Sequence, residues 1–447
     1  MNNLNQKFSQ KNLAVLIPVL IGIACAMVAI WAFGFHVVDF GDANDYIAAA
    51  KSFLNGQPYP RRSEFHPMFR PPLYPLFIAA VWKIFPYSVV AVKVAQALLH
   101  GATCFLVYRI TYELLKKHVP AFLAALICSV HPLLAAHTVG FFTEPLHTFL
   151  LAVATLYIVK LLKDDKALYL NAALVGLAYG LATLCRPSAL GVAVCLVPVI
   201  YLLKVKVVQR TRALIVSGVL LAGMFVAIAP WTIYNYRTTG EFIIVNDGFS
   251  YNFWLGSLPE TIRLYEGEFK DAEDNQRFAN YIWGEVQREK LKELERTDNY
   301  SSLKINEREK VWRREAIKNL RQDYSITARI MLGKIKTFWT PFLNRHAYNW
   351  KIVAIVAIFV ISVYLLSIYG AYILSRDQTG RDFVILLAVS FVVATLIHVL
   401  IMGFVRYRAP YVDPYVSMLA GIALWRIGEK FFSKKSLTAE ARASVSA

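Results

Sequence analysis

Long apolar stretches separated by short polar ones run through most of the chain. A helix rises ~1.5 Å per residue and the hydrocarbon core of a bilayer is ~30 Å thick, so about 20 apolar residues in a row predict one membrane-spanning helix. About ten such segments can be placed, with ends defined to within about three residues. They are 13–35, 88–110, 119–136, 145–162, 168–184, 188–204, 212–232, 351–374, 382–404 and 410–428.

One further apolar stretch, Pro71–Phe85, does not fit the pattern of a span. Pro71, Pro72 and Pro75 crowd its start, and Lys83 interrupts its end. Proline removes helical hydrogen bonds, so this stretch predicts a helix that lies at the membrane interface rather than one that crosses. If it did cross, the polarity of every later loop would invert.

The pattern divides the chain into four parts. Residues 1–233 are predicted to be an N-terminal transmembrane catalytic module, which includes a first outer loop at 36–87. Residues 234–349 are a mostly helical extracytoplasmic region, 350–428 hold the C-terminal transmembrane helices, and 429–447 form a basic cytoplasmic tail. The fold class is therefore an all-α polytopic membrane protein with about ten transmembrane helices and additional interfacial helices. A composition of 57% apolar and 17% charged residues supports this class, because a soluble chain needs more polar surface.

A large share of the net charge of +18 follows from membrane topology, and the rest lies on the large outer loop. Lys and Arg concentrate in alternate short loops, which the positive-inside rule assigns to the cytoplasm, with both termini inside. No nucleic-acid partner is needed, and the basic tail is suited to anionic lipid headgroups. The five cysteines lie in or beside apolar segments and predict no disulfide framework. Their absence from the outer loops favours a bacterial inner membrane, although Asn299-Tyr-Ser301 is a formal glycosylation sequon.

The opposite, outer loops carry acidic and basic residues at the ends of the spans. Asp42 and Asp45 are three residues apart, a spacing that lets two carboxylates share a proton or bind one partner. Asp42 is also well placed to cap a helix that starts near Ala43. Glu144 opens another span, where an acidic residue suits the helix dipole. The basic residues on this side are Arg70, Arg186, Arg237 and Arg406.

A single arginine at the mouth of a span usually snorkels to the interface or binds a lipid headgroup. Several arginines on one face, opposite carboxylates, instead indicate a phosphate site, because guanidinium groups bind phosphate oxygens bidentately. His137 and His147 flank Glu144, but no metal-ligand spacing recurs. Histidines in spans usually hydrogen-bond to neighbours, so the sequence predicts neither a cofactor nor a divalent metal.

A set of short motifs makes the chain resemble the C-type (GT-C) membrane glycosyltransferases, the broad group of the protein O-mannosyltransferases and the lipid A aminoarabinose transferase. The set runs from the first loop to the last span, and it shares one membrane face. The motifs are Asp42-x-x-x-Tyr46 with Gly56-x-x-Tyr59, Arg70-Pro-Pro-Leu-Tyr74, Thr143-Glu144-Pro145, Cys185-Arg186-Pro187, Pro230-Trp231 with Asn235-Tyr-Arg237-x-x-Gly240, Asn252-x-Trp254-x-Gly256 and Arg406-Tyr-Arg-x-Pro410.

The resemblance implies transfer of a sugar from a polyprenyl-phosphate carrier to a glycan, lipid or protein acceptor outside the cytoplasm. It matches Asp42 to the family's catalytic acidic residue in the first loop and Glu144 to the family's second acidic position. The family's usual Asp-Glu pair is replaced, because Ala43 follows Asp42 and Asp45 supplies the second charge. Inverting transfer needs a carboxylate that deprotonates the acceptor and cations that stabilise the departing phosphate. Asp42 is the candidate base, Asp45 or Glu144 would orient the acceptor or the sugar, and the candidate phosphate-binding residues are Arg70, Arg186, Arg237, Arg406, Tyr46 and Tyr74.

Two other functions use the same carrier. A transporter or flippase of a lipid-linked glycan would hold the phosphate with the same arginines, but such chains often show paired halves, which this sequence lacks. A glycan ligase or polymerase would transfer a whole oligosaccharide. Neither the sugar, the acceptor nor the oligomeric state can be deduced from the sequence, because specificity depends on the shape of the pocket.

Overall fold

The structure is a computed structural model that describes residues 2–36, 42–60, 68–266, 272–342 and 349–445. Within these ranges the chain is helical and contains no strand. The membrane-type part comprises α1 (Asn2–Phe33), α2 (Ala43–Leu54), α3 (Leu73–Ile84), α4 (Val89–Leu115), α5 (His118–Ser129), α6 (Pro132–Ala136), α7 (Glu144–Lys163), α8 (Leu168–Cys185), α9 (Ser188–Lys204) and α10 (Arg210–Thr239). The second part comprises α11 (Phe249–Ser257), α12 (Ile262–Glu266), α13 (Ala272–Asn280), α14 (Gln287–Asp298), α15 (Ile305–Gln322), α16 (Tyr324–Trp339), α17 (Trp350–Leu374), α18 (Gln378–Leu400) and α19 (Val405–Val445).

Seven helices in the described ranges are long and apolar enough to cross a bilayer, and the protein is an integral membrane protein. These stretches are Val15–Phe33 of α1 and the helices α4, α7, α8, α10, α17 and α18. The shorter apolar helices α3, α5 and α9 have 10–17 residues. The prediction of about ten spans therefore remains a prediction beyond these seven.

The expected span at 119–136 is wrong as a single helix. It is divided into α5, which ends at Ser129, and α6, which begins at Pro132. Proline cannot donate the backbone hydrogen bond that a continuous helix needs, so the chain turns at Val130 and His131 and restarts with Pro132 in the first turn.

The Pro71–Phe85 stretch forms α3, a helix of 12 residues. At ~1.5 Å per residue it is about 18 Å long, which is too short to cross the ~30 Å hydrocarbon core. Tyr74, Ile78 and Trp82 lie on its buried face. The prediction of a short helix is confirmed, and its place at the membrane interface remains a prediction.

Glycines bring α8 and α10 into close contact. A Cβ atom added at Gly176 would lie 2.0 Å from the carbonyl oxygen of Leu220, and one added at Gly223 would lie 2.6 Å from that of Ala173. Small residues allow transmembrane backbones to approach this closely. The contact holds α8 in place, and α8 ends immediately before Arg186.

An aromatic core holds the helices between α10 and α17 together. Trp254 on α11 packs 4.6 Å from Trp312 on α15, measured between ring centroids. The Trp312 indole donates a hydrogen bond of 2.6 Å to the Tyr300 hydroxyl. These helices confirm the predicted helical patterns at 275–295 and 305–321. The four-part division of the chain remains a prediction, with α10 continuing past residue 233 and α19 past residue 428.

Candidate functional site at the helix ends

Six charged residues, including Asp45 in the first turn of α2, meet at one end of the helix bundle because each lies at or beside a helix start or end. Asp42 occupies the position before α2, and Arg70 lies shortly before α3. Glu144 is the first residue of α7, Arg186 follows α8, and Arg406 lies in the first turn of α19. Residues far apart in sequence therefore form one cluster.

Arg70 joins the two carboxylates of the first loop. Its Nη2 lies 2.6 Å from Oδ1 of Asp42, and its Nε lies 2.9 Å from Oδ2 of Asp45. The three-residue spacing within one helical turn gives both carboxylates the same partner. Arg70 also lies 4.7 Å from the ring centroid of Phe69, which fixes the guanidinium from another side.

Asp42 does not cap α2 with its side chain. It stands at the N-cap position but makes no side-chain capping hydrogen bond, and its Oδ2 instead accepts from Nη2 of Arg406 at 2.9 Å. Burial alone would raise the pKa of Asp42, but the Arg70 and Arg406 guanidiniums lower it below its usual value. The carboxylate is therefore ionised at neutral pH.

Glu144 is the most deeply buried residue of the three carboxylates in the cluster, with only 1% of its surface exposed. Its Oε1 lies 2.5 Å from Nη1 of Arg186 and 3.3 Å from Nε of Arg406. Arg186 also donates to the Thr143 hydroxyl at 3.2 Å. Arg406 thus bridges Glu144 and Asp42, so both acidic positions belong to one ion-pair network.

Tyr407 lies between two of the arginines and was not among the residues predicted from sequence. Its ring centroid is 4.7 Å from the Arg186 guanidinium and 5.1 Å from that of Arg406. Aromatic faces attract cations in this geometry. Its place directly after Arg406 in the last motif was the available signal.

The two predicted tyrosines pack next to the cluster, with different exposure to the site. Tyr46 lies 5.5 Å from the Arg70 guanidinium, measured to its ring centroid, and lines the cavity described below. Tyr74 is fully buried beneath it, at 5.0 Å between centroids, and donates its hydroxyl hydrogen to Gln96 at 2.7 Å. Tyr74 therefore supports Tyr46 from behind.

Arg237 is not brought into the cluster. It lies exposed in the last turn of α10. Among the residues that line the cavity, the arginines are Arg70, Arg186, Arg313 and Arg406. The expectation that Arg237 belongs with the other phosphate-binding arginines is not supported by its position.

A cavity of about 820 Å³ opens in front of the cluster. One wall carries Asp42, Arg70, Arg186 and Arg406, while Glu144 lies behind it in a separate small void. A second wall is apolar and comes from α9 and α18, and it includes Leu190, Val194 and Ile397. The third wall, called the polar wall below, consists of residues 242–250 and the start of α15, and it carries the polar residues Asn246, Asp247, Ser250 and Glu309 beside apolar ones.

The polar wall contains one buried and one half-buried acidic group that the sequence did not indicate. Asp247 is only 3% exposed, and its Oδ2 accepts from the Met68 amide at 3.3 Å. Burial raises the pKa of Asp247 to about 7. Glu309 accepts from the Ser250 amide at 2.9 Å, and burial raises its pKa as well. The sequence held only a weak signal, a turn-like Asn-Asp-Gly at 246–248.

The acidic residues of the cluster do not fit a divalent metal ion. Asp42, Asp45 and Glu144 each pair with a guanidinium, so a metal would lie beside three cations or displace them. No group of three potential metal ligands is found in the described part of the chain. His147 contacts the Tyr411 hydroxyl at 3.0 Å, as expected for a histidine that hydrogen-bonds to a neighbour. The absence of a metal or cofactor requirement remains a prediction.

Comparison with known proteins agrees with this architecture. Residues 69–234 match the family model described as dolichyl-phosphate-mannose-protein mannosyltransferase. The archaeal oligosaccharyltransferase AglB of Archaeoglobus fulgidus, solved with an inhibitory peptide and a dolichol-phosphate, has a TM-score of 0.57 and 14% identity, over 97% of this chain and 52% of that one. The chain thus spans about half the length of that enzyme.

Two other structures are more distant. The Cupriavidus metallidurans ArnT bound to undecaprenyl phosphate gives a TM-score of 0.42 and 13% identity, covering 91% of this chain and 78% of that one. The Saccharomyces cerevisiae protein O-mannosyltransferase Pmt1-Pmt2 complex bound to the sugar donor gives a TM-score of 0.39 and 15% identity. That match covers 54% of this chain and 35% of the other one. No curated protein matches the sequence. The likeness to AglB over nearly the whole chain shows that this chain has the GT-C fold, and residues 69–234 are similar to the mannosyltransferase family model.

Proposed function

We propose that this protein transfers a sugar from a polyprenyl-phosphate carrier to an extracytoplasmic acceptor, with inversion at the anomeric carbon. The observation that carries the proposal is the network of Arg70, Arg186 and Arg406 with carboxylates on one wall of a cavity whose neighbouring wall is apolar. The charged wall would bind the phosphodiester of such a carrier, and the apolar wall would bind its isoprenoid chain. The matching family model, by its description, concerns enzymes whose donor is dolichyl-phosphate mannose.

The lipid chain would lie along the apolar wall. Val194 on α9 is 52% exposed and lines the cavity, together with Ile397 on α18. A Cβ atom at Gly191 would lie 2.7 Å from Cδ1 of Ile397, so glycine keeps these two helices close. A carrier phosphate at the arginines would then continue into an apolar surface that reaches the outside of the bundle.

The charges of the cluster suit the reaction. Three carboxylates oppose three guanidiniums, and the donor phosphodiester brings one negative charge. In the reaction the acceptor oxygen bonds to the anomeric carbon, the bond from that carbon to the phosphate oxygen breaks, and the acceptor proton passes to Asp42. The phosphate gains a second charge as Asp42 loses its own. Protonation of Asp42 thereby weakens its ion pairs with Arg70 and Arg406, and these guanidiniums can then stabilise the additional negative charge on the phosphate.

Glu144 and Asp45 take supporting roles in this proposal. Glu144 lies behind the cavity wall and contacts Arg186 and Arg406, so it positions these arginines and does not contact the sugar. Asp45 does the same for Arg70 through Nε. This differs from an acceptor-orienting role for either residue, because neither carboxylate lines the cavity.

The proposal predicts carrier cleavage by the purified protein. Incubation with a radiolabelled polyprenyl-phosphate monosaccharide and an envelope extract as acceptor source should release free polyprenyl phosphate and label the acceptor with inverted anomeric configuration. Asp42→Asn protein is the matched control. Movement of intact carrier across a vesicle membrane without cleavage would instead identify a flippase, and transfer of an oligosaccharide only would identify a ligase or polymerase.

We further propose that the site faces the outside of a bacterial inner membrane, since the loops at the other ends of the spans are basic. Ser302, exposed between α14 and α15, and Lys166, exposed between α7 and α8, lie on opposite sides in this arrangement. In intact spheroplasts, Ser302→Cys should react with an impermeant maleimide and Lys166→Cys should react only after permeabilisation. The unmodified protein, treated with the same maleimide, shows how much label reacts with its own cysteines. Labelling of Lys166→Cys but not of Ser302→Cys in intact spheroplasts would contradict the proposed orientation.

A further inference from the structure

We infer that Asp247 is a sugar-binding residue that accepts a hydrogen bond from a hydroxyl group of the donor glycosyl unit and so contributes to donor specificity. The inference rests on the proposed function, because it places the sugar next to a phosphate held by Arg70. It concerns the polar wall of the cavity, to which Asp247 belongs.

The first observation is an incompletely bonded, buried carboxylate in the cavity wall. Oδ2 of Asp247 accepts from the Met68 amide, whereas Oδ1 receives a hydrogen bond from none of the residues that the structure describes. Asp247 is 3% exposed and lines the cavity. A buried polar atom without a partner is costly, and the ionised carboxylate, the form that a bound hydroxyl donor would favour, can only accept. A ligand that donates a hydroxyl proton to Oδ1 would remove this cost.

The second observation is the position of Asp247 relative to Arg70. The Asp247 amide donates to the Met68 carbonyl at 3.3 Å, and Nδ2 of Asn246 donates to the Phe69 carbonyl at 3.2 Å. The segment that carries Asp247 is therefore tied to the two residues before Arg70. Two residues of extended chain span at most about 7 Å. A sugar ring attached directly to a phosphate at Arg70 would therefore lie in the part of the cavity that Asp247 also lines.

Gly248 makes this arrangement possible. A Cβ atom at this position would lie 2.4 Å from Cε2 of Phe69, whose ring also contacts the Arg70 guanidinium. The loop can therefore approach closely enough for Asp247 and Arg70 to line the same cavity. The chemical class that fits is a glycosyl group with a free hydroxyl toward Asp247, and a site built to bind a hydroxyl discriminates strongly against ligands that lack it.

The variant that tests this inference is Asp247→Asn. The asparagine can keep its oxygen toward the Met68 amide, but it presents an amide N–H group, a donor, to the cavity. Asp298→Asn is the matched control, since Asp298 lies outside the cavity and pairs with Arg314 at 2.9 Å. Thermal unfolding of each variant checks that the fold is retained.

Binding is measured in nanodiscs with bare undecaprenyl phosphate and with its glucosyl, mannosyl and arabinosyl derivatives. We expect the bare carrier to bind Asp247→Asn and the unmodified protein equally, and at least one sugar-linked carrier to bind the variant about 10-fold to 100-fold more weakly. Asp298→Asn should bind all of them normally. In turnover assays the loss should appear in the KM for the donor.

Two results would overturn the inference while leaving the proposed function intact. One is equal binding of every sugar-linked carrier by Asp247→Asn and the unmodified protein. The other is a rise in the KM for the acceptor with unchanged donor binding, which would assign Asp247 to the acceptor. Failure of the unmodified protein to bind even the bare carrier would instead overturn the proposed function, and the inference with it.

Discussion

Asp42→Asn is expected to lower turnover by about 10²–10⁴-fold while donor binding stays nearly unchanged. Asparagine has almost the same size and can still accept from Arg70 or Arg406, but it cannot take up the acceptor proton. Loss of one negative charge also leaves the cluster more cationic, which favours an anionic donor. Single-turnover rates with bound donor, together with donor affinity from a binding assay, separate the two effects.

Asp45→Asn serves as the comparison for this prediction. Asp45 shares Arg70 with Asp42 but does not line the cavity, so its loss should raise the KM for the donor more than it lowers kcat. Turnover of Asp42→Asn at the level of the unmodified protein would rule out Asp42 as the base. An equal loss of kcat in both variants would point to misplacement of Arg70 instead.

The low pKa of Asp42 has a mechanistic consequence in the proposed reaction. Paired with two guanidiniums, the carboxylate is a weak base. A donor phosphate that attracts Arg70 and Arg406 weakens this pairing, so the basicity of Asp42 rises once the donor is bound. Proton removal from the acceptor is thereby favoured only when a carrier phosphate is present, which disfavours unproductive chemistry in its absence.

The sequence predicted the cluster well because the prediction needs only the order and polarity of residues along the chain. Residues at the ends of spans on one membrane face must meet if the spans pack as a bundle, and Asp42, Arg70, Glu144, Arg186 and Arg406 do meet. Long apolar helices were equally predictable, because length and composition alone define them. Both predictions use only the order and polarity of residues along the chain.

Properties that depend on rotation or on long-range contact were not predictable. Arg237 also lies near the end of a span, but its exposure depends on the direction in which α10 presents that face. Asp247 contacts Met68, 179 residues away, through a loop without a periodic pattern. Glu144 was identified, yet its place behind the cavity wall depends on how Arg186 and Arg406 fold over it.

Replacing Arg70 or Arg406 by lysine should weaken donor binding by about 1–3 kcal/mol, a loss of about 5-fold to 150-fold. Each guanidinium contacts two carboxylates through separate nitrogens: Arg70 through Nη2 and Nε, and Arg406 through Nη2 and Nε. A lysine ammonium keeps the charge but loses the planar group that holds two partners in fixed directions. It would therefore present a phosphate with one contact where arginine offers two.

Two further lysine variants test whether Arg70 and Arg406 bind the donor phosphate or only place a positive charge at the membrane interface. Arg376→Lys, where the side chain hydrogen-bonds to the nearby Tyr372, should leave donor affinity unchanged. Arg237→Lys should also be neutral, because Arg237 lies outside the cavity wall. If Arg70 and Arg406 merely snorkel to the interface, all four variants will bind a polyprenyl-phosphate donor as the unmodified protein does. That result, with unfolding temperatures unchanged, would leave the phosphate without its binding residues, and the proposed site would have to be abandoned.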